Sequence, residues 1–147
     1  MAGDFRSWLW QTCNEFGFFE STDSNLTTNN FVGPDIPVDY YIQQCVDVFG
    51  DAFSNSTIFS NIAKTNAYYT SQNYNATRVV APNGSNDPWH VLGIRHNHNP
   101  QLYAFTIAGA GHCADMYPSA PSDVPGLTFV KNEIRYLVLE WIYDNKY

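Results

Sequence analysis

Two runs hold the residues of this chain best suited to chemistry: Asn83-Gly84-Ser85-Asn86-Asp87-Pro88-Trp89-His90 and Gly109-Ala110-Gly111-His112-Cys113-Ala114-Asp115-Met116. Asp87 and His112 stand 25 positions apart. Each run follows a β-branched or apolar segment that reads as a strand, Thr77-Arg78-Val79-Val80 before the first and Leu102-Tyr103-Ala104-Phe105-Thr106-Ile107 before the second. A carboxylate on the loop after one strand can hold an imidazole on the loop after the next in a single tautomer. That is the relation between the last two members of a Ser–Asp–His triad. Pro88 confines Asp87 to extended backbone angles, Trp89 supplies an apolar wall, and Gly109 and Gly111 let His112 stand clear of its loop. Taken alone, Asn-Asp-Pro-Trp is a turn with a surface carboxylate; the matching histidine loop outweighs that reading.

Several elements must position these residues. Pro37 suits the first turn of a helix. After it Val38, Tyr41, Ile42, Cys45, Val46 and Phe49 form one apolar stripe that stops at Gly50. Residues 56–69 read as a weaker helix and 77–81 as a strand. Residues 90–99 are polar, and Pro118, Pro121 and Pro125 mark a loop. From Leu127 a stripe of Val130, Ile134, Leu137, Val138, Trp141 and Ile142 predicts a terminal helix. Residues 6–19 open as an aromatic, strand-like segment and end in a turn at Gly17, and 20–33 read as an exposed loop. Strand, Asp loop, strand, His loop, helix is the last third of a doubly wound sheet. The expected fold class is therefore α/β, the C-terminal part of an α/β-hydrolase doubly wound sheet. No Gly-x-Ser-x-Gly elbow occurs before Asp87, and in that fold the nucleophile precedes the acid. Residues 1–147 are thus expected to be a partial hydrolase domain whose nucleophile lies upstream.

Composition narrows the setting. The chain has 147 residues, 44% hydrophobic and 16% aromatic, enough for one domain with a real core. A net charge of −7 would repel nucleic acid and anionic membrane alike. No apolar run approaches the ~20 residues that span a bilayer. Four sequons, at Asn25, Asn55, Asn75 and Asn83, point to secretory passage, yet the N-terminus has no leader pattern. Both facts suit a fragment of a longer secreted protein. Of the three cysteines, Cys13 and Cys45 could pair, a closure worth ~3 to 4 kcal/mol, or all three could be buried thiols. His90, His96, His98, His112 and Cys113 are borderline metal ligands, but their spacing matches no metal motif, so neither metal nor cofactor is expected.

Four blocks resemble, in order and spacing, those of the prolyl-specific serine exopeptidases: lysosomal Pro-Xaa carboxypeptidase, dipeptidyl peptidase II and thymus-specific serine protease. They are Arg6-Ser7-Trp8-Leu9-Trp10-Gln11-Thr12-Cys13-Asn14-Glu15, Asp39-Tyr40-Tyr41-Ile42-Gln43-Gln44-Cys45, Pro82 through His90, and Gly111-His112-Cys113-Ala114-Asp115-Met116-Tyr117-Pro118. The likeness runs over nearly the whole chain. It implies that Asp87 is the triad carboxylate and His112 the general base. It also implies that Cys13 and Cys45 are disulfide-bonded, and that Trp89 and Phe18 line the pocket for the residue before the scissile bond. The family's serine elbow, helical cap and oxyanion hole would lie outside this chain. The resemblance implies a secreted or lysosomal protein acting on a peptide substrate, with a homodimeric full-length protein carried as an option. The competing expectation is a non-catalytic secreted glycoprotein that keeps the triad residues as relics.

Overall fold

The computed structural model describes residues 3–23 and 35–144. The chain divides into two compact units, Met1–Tyr69 and Thr70–Tyr147. It is a mixed helix-and-strand protein with a small parallel sheet.

The first unit is helical. Helix α1 (Gly3–Gln11) runs into a π-helical turn, Thr12–Phe16, that ends at Gly17. This overturns the strand-like reading of residues 6–19. Aromatic residues favour strands only where a sheet can take them up, and here Phe5, Trp8 and Trp10 are 57%, 42% and 40% exposed on α1. The helix is tied down at its far end. The Thr12 hydroxyl donates to Leu9 O at 2.8 Å, and Cys13, wholly buried, is disulfide-bonded to Cys45. Gly17 adopts φ 69 and its N–H donates to Thr12 O. A Cβ there would come within 2.7 Å of Ile62.

Helix α2 (Val38–Phe49) follows Pro37 and stops at Gly50, which adopts φ 91. Its first N–H, on Val38, donates to Asp23 Oδ2 at 2.7 Å, a carboxylate at the positive end of the helix. Helix α3 (Asn55–Tyr69) starts beside Ser54, whose hydroxyl accepts from the Thr57 N–H. Buried Cys13, Ile42, Cys45 and Ile58 form the core, flanked by Leu9, Phe19, Val38, Phe49, Phe53 and Ile62. The expected stripe on α2 thus supplies two of the four central residues. Most of the expected loop at 20–33, with the sequon at Asn25, lies outside the described residues.

In the second unit β1 (Val79–Gly84) and β2 (Leu102–Ile107) pair in parallel, Val79 opposite Leu102 and Gly84 opposite Ile107. Strand β2 matches its expected bounds. Strand β1 starts two residues late because Arg78 adopts φ 58, which cannot continue a strand. It accommodates Pro82 without loss of a bond, since β1 has one partner among the described residues. Helix α4 (Pro125–Asp144) places Leu127 and Val130 against Ile107 and Ala110, with Phe105, Ala114, Val124 and Ile134 around them. It begins two residues before the apolar stripe because proline is well suited to a first turn. Lys131 Nζ, within the helix, donates at 2.8 Å to Oδ2 of Asp123, which lies just ahead of it. No described helix is long and apolar enough to cross a membrane.

Candidate active site

Parallel pairing sends both strands out of the sheet at the same end, so the segments after Gly84 and Ile107 are neighbours. The Ser85 N–H donates to Ile107 O at 3.0 Å and the Asn86 N–H to Ala110 O at 2.9 Å. Gly84 is where the approach is tightest. A Cβ there would lie 2.4 Å from Gly111 O and 2.5 Å from Ala110 O. Only glycine fits.

Asp87 follows in extended conformation and caps a short 3-10 helix, Pro88–Leu92. Its Oδ1 accepts the Trp89 N–H at 2.9 Å, and its Oδ2 lies 2.8 Å from His112 Nδ1. The two side chains differ sharply in exposure, 11% for Asp87 and 58% for His112. Burial opposes the charge on Asp87. The His112 hydrogen bond, the Trp89 N–H and the positive potential of His112 and His90 outweigh it and hold the carboxyl below its ordinary range. An ionised carboxylate only accepts, so His112 Nδ1 must carry the proton between them. In the neutral ring the lone pair then resides on Nε2, on a side chain open to solvent, which is what a general base requires.

Trp89 packs edge-on against this ring, centroids 5.1 Å apart at 86°. An edge-to-face aromatic contact restricts ring tilt without taking a hydrogen-bonding position. Cys113, directly after His112, is a half-buried free thiol in left-handed conformation, φ 45 and ψ 29. It heads the 3-10 turn Ala114–Met116.

Asp87, His112 and Trp89 are therefore together. Phe18 belongs to the first unit, 41% exposed and against Phe16. Among the borderline ligands, His90 Nδ1 is bonded to Asp87 O, and His96 and His98 are exposed. Among the described residues no three His, Cys, Asp or Glu side chains gather as metal ligands do. The sequons also separate. Asn55 and Asn75 are exposed, whereas Asn83 Nδ2 donates to Ile94 O at 2.9 Å and Ala81 O at 3.2 Å. A glycan on Asn83 would have to displace these bonds. The roles of Gly84, Ser85 and Asn86 were not legible in the sequence, because they depend on which carbonyls the second loop brings near.

Comparison with known proteins places the chain in a family. The model of the family described as serine carboxypeptidase S28 matches residues 1–134. A Caenorhabditis elegans chain named as a serine protease is 37% identical over 142 residues, covering 95% of this chain and 28% of its own length. Mouse thymus-specific serine protease is 37% identical over 145 residues, 99% of this chain and 27% of its own. The human protein of the same name is 34% identical over 141 residues, 96% of this chain and 26% of its own. The chain spans about a quarter of the length of these relatives. With the parallel strands, the paired Asp87 and His112 and a family match over most of its length, the chain belongs to the serine carboxypeptidase S28 family of serine peptidases.

Proposed function

We propose that Asp87 and His112 are the acid and base of a serine-peptidase triad whose serine is supplied from outside these 147 residues, which contain no Gly-x-Ser-x-Gly elbow. The observation that carries this reading is the 2.8 Å contact between buried Asp87 Oδ2 and exposed His112 Nδ1. In this scheme His112 Nε2 takes the serine proton as the hydroxyl attacks the scissile carbonyl. Asp87 stabilises the resulting imidazolium, and the imidazolium returns the proton to the leaving amine. Water then repeats the cycle on the acyl-enzyme, and the peptide acid is released.

The finer assignments belong to the same proposal. Residues 1–147 form the C-terminal part of an α/β-hydrolase domain whose doubly wound sheet β1 and β2 continue. The reaction is exopeptidase cleavage of prolyl peptides, as carboxypeptidase or dipeptidyl peptidase according to which peptide terminus the whole cleft captures. Trp89 lines the pocket for the residue before the scissile bond. The disulfide and the exposed sequons at Asn55 and Asn75 favour a secreted or lysosomal protein.

The test is Asp87→Asn in the peptidase that carries this chain, assayed with proline-containing fluorogenic dipeptides and a fluorophosphonate probe. Amide for carboxylate favours the wrong imidazole tautomer, so kcat should fall about 10⁴-fold with KM nearly unchanged. Full activity in the variant would refute the assignment.

A further inference from the structure

His112 is 58% exposed, so burial in a core does little to hold it. Asp87 and Trp89 touch its ring, yet neither fixes the backbone from which the ring projects. That backbone is gripped elsewhere. The Gly109 N–H donates to Ser85 Oγ at 2.8 Å, and Asn86 Nδ2 donates to Gly109 O at 3.2 Å. The Ser85 hydroxyl in turn points its proton toward Asn86 Oδ1, 3.5 Å away. Two adjacent side chains thus take up both polar groups of one residue, whose φ of 78 no β-carbon residue adopts readily. Main-chain bonds from the same two residues, to Ile107 O and Ala110 O, flank this grip. Ser85 and Asn86 immediately precede Asp87, and Gly109 stands three positions before His112. The clamp therefore ties the two loops together within three positions of both acid and base.

We infer that Ser85 and Asn86 are positioning residues, which lock Gly109 so that the histidine loop presents Nδ1 of His112 to Asp87. The inference rests on the reading of Asp87 and His112 as a coupled pair, and adds what keeps them coupled. Gly109 and Asn86 are exposed, so water can replace the lost bonds with little cost to folding. Alignment of the ring has no such substitute.

The 147-residue chain labelled with ¹⁵N-histidine separates the possibilities, because the shifts of the two imidazole nitrogens report which one carries the proton. The parent is expected to hold His112 in the Nδ1–H form. Ser85→Ala with Asn86→Ala should move the ratio of Nδ1–H to Nε2–H about fivefold toward Nε2–H, the size of one net hydrogen bond, with the thermal midpoint nearly unchanged. Ser85→Thr, which keeps the hydroxyl, should retain the parent ratio. A parent in Nδ1–H form whose double variant is unchanged overturns the clamp alone. A parent already in mixed tautomers overturns the coupled pair and the clamp with it. A double variant whose ratio shifts only together with loss of the folded state, with no retention in Ser85→Thr, also overturns the clamp.

Discussion

Replacing Gly84 with alanine tests the geometry most directly. Gly84 does not adopt positive φ, so alanine meets no backbone penalty and should gain about 0.4–1 kcal/mol by restricting the unfolded chain. Sterics oppose this. The new methyl would sit 2.4 Å from Gly111 O and 2.5 Å from Ala110 O, both main-chain atoms in the loop that bears His112. Ordinary contact requires about 1 Å more, and neither carbonyl is the end of a flexible side chain. Overpacking of this kind costs about 1–3 kcal/mol, so the steric effect wins by about 1–2 kcal/mol. For a chain of this size that lowers the thermal midpoint by about 2–8 °C. The same displacement would stretch the 2.8 Å Asp87–His112 bond beyond useful reach, and a 1 Å misplacement costs about 10²-fold in turnover. Gly111→Ala is the control. Nothing lies within 4 Å of a Cβ at that position, and its φ is not positive, so it should be nearly neutral. Thermal unfolding of parent and both variants decides the matter. A Gly84→Ala chain as stable as Gly111→Ala would refute the close-approach argument.

Other expectations follow from the same structure. Asp87 titrates lower in the folded chain than in the unfolded one; its stabilisation is present above the unfolded value near ~3.9 and lost as pH falls through the lower folded value. Asp87→Asn should therefore weaken the acid-side fall of the unfolding midpoint, and an unchanged acid limb would contradict the assigned charge. Reduction of Cys13–Cys45, or Cys13→Ala with Cys45→Ala, should cost about 3–4 kcal/mol, read as a lower denaturant midpoint in dithiothreitol than without it. Expressed through a secretory pathway, the chain should carry glycans at Asn55 and Asn75 and none at Asn83, measurable by peptide mapping after deglycosylation in ¹⁸O water. Occupancy at Asn83 would show that its amide is not held as described.

How much could be read in advance differs from element to element. Helix α2 was legible because its stripe is long, regular and bounded by Pro37 and Gly50. Strand β2 was legible because six apolar and β-branched residues run between clear turn signals. Residues 6–16 were not, since their aromatics satisfy a strand pattern as well as a helix pattern, and no neighbouring strand among the described residues is there to take them up. Strand β1 was misplaced at its start for a local reason, the left-handed Arg78, which nothing in its side chain announces. The sequon at Asn83 is legible from its neighbours, whereas the bonds of its amide to Ile94 O and Ala81 O are not.

For the site itself, the sequence determined the chemistry available: a carboxylate stiffened by Pro88, an imidazole among glycines, a tryptophan beside them, and the spacing that puts each on a loop after a strand. Those are properties of residue type and order, and they are local. Tertiary structure decided which groups meet. Parallel pairing of β1 with β2 brought the two loops to one end of the sheet. The missing side chain at Gly84 allowed their main chains to touch, and Ser85 and Asn86 found their partner in Gly109. Hydrogen bonds and steric contacts act over a few ångströms, so between residues 25 positions apart they exist only once the chain has folded.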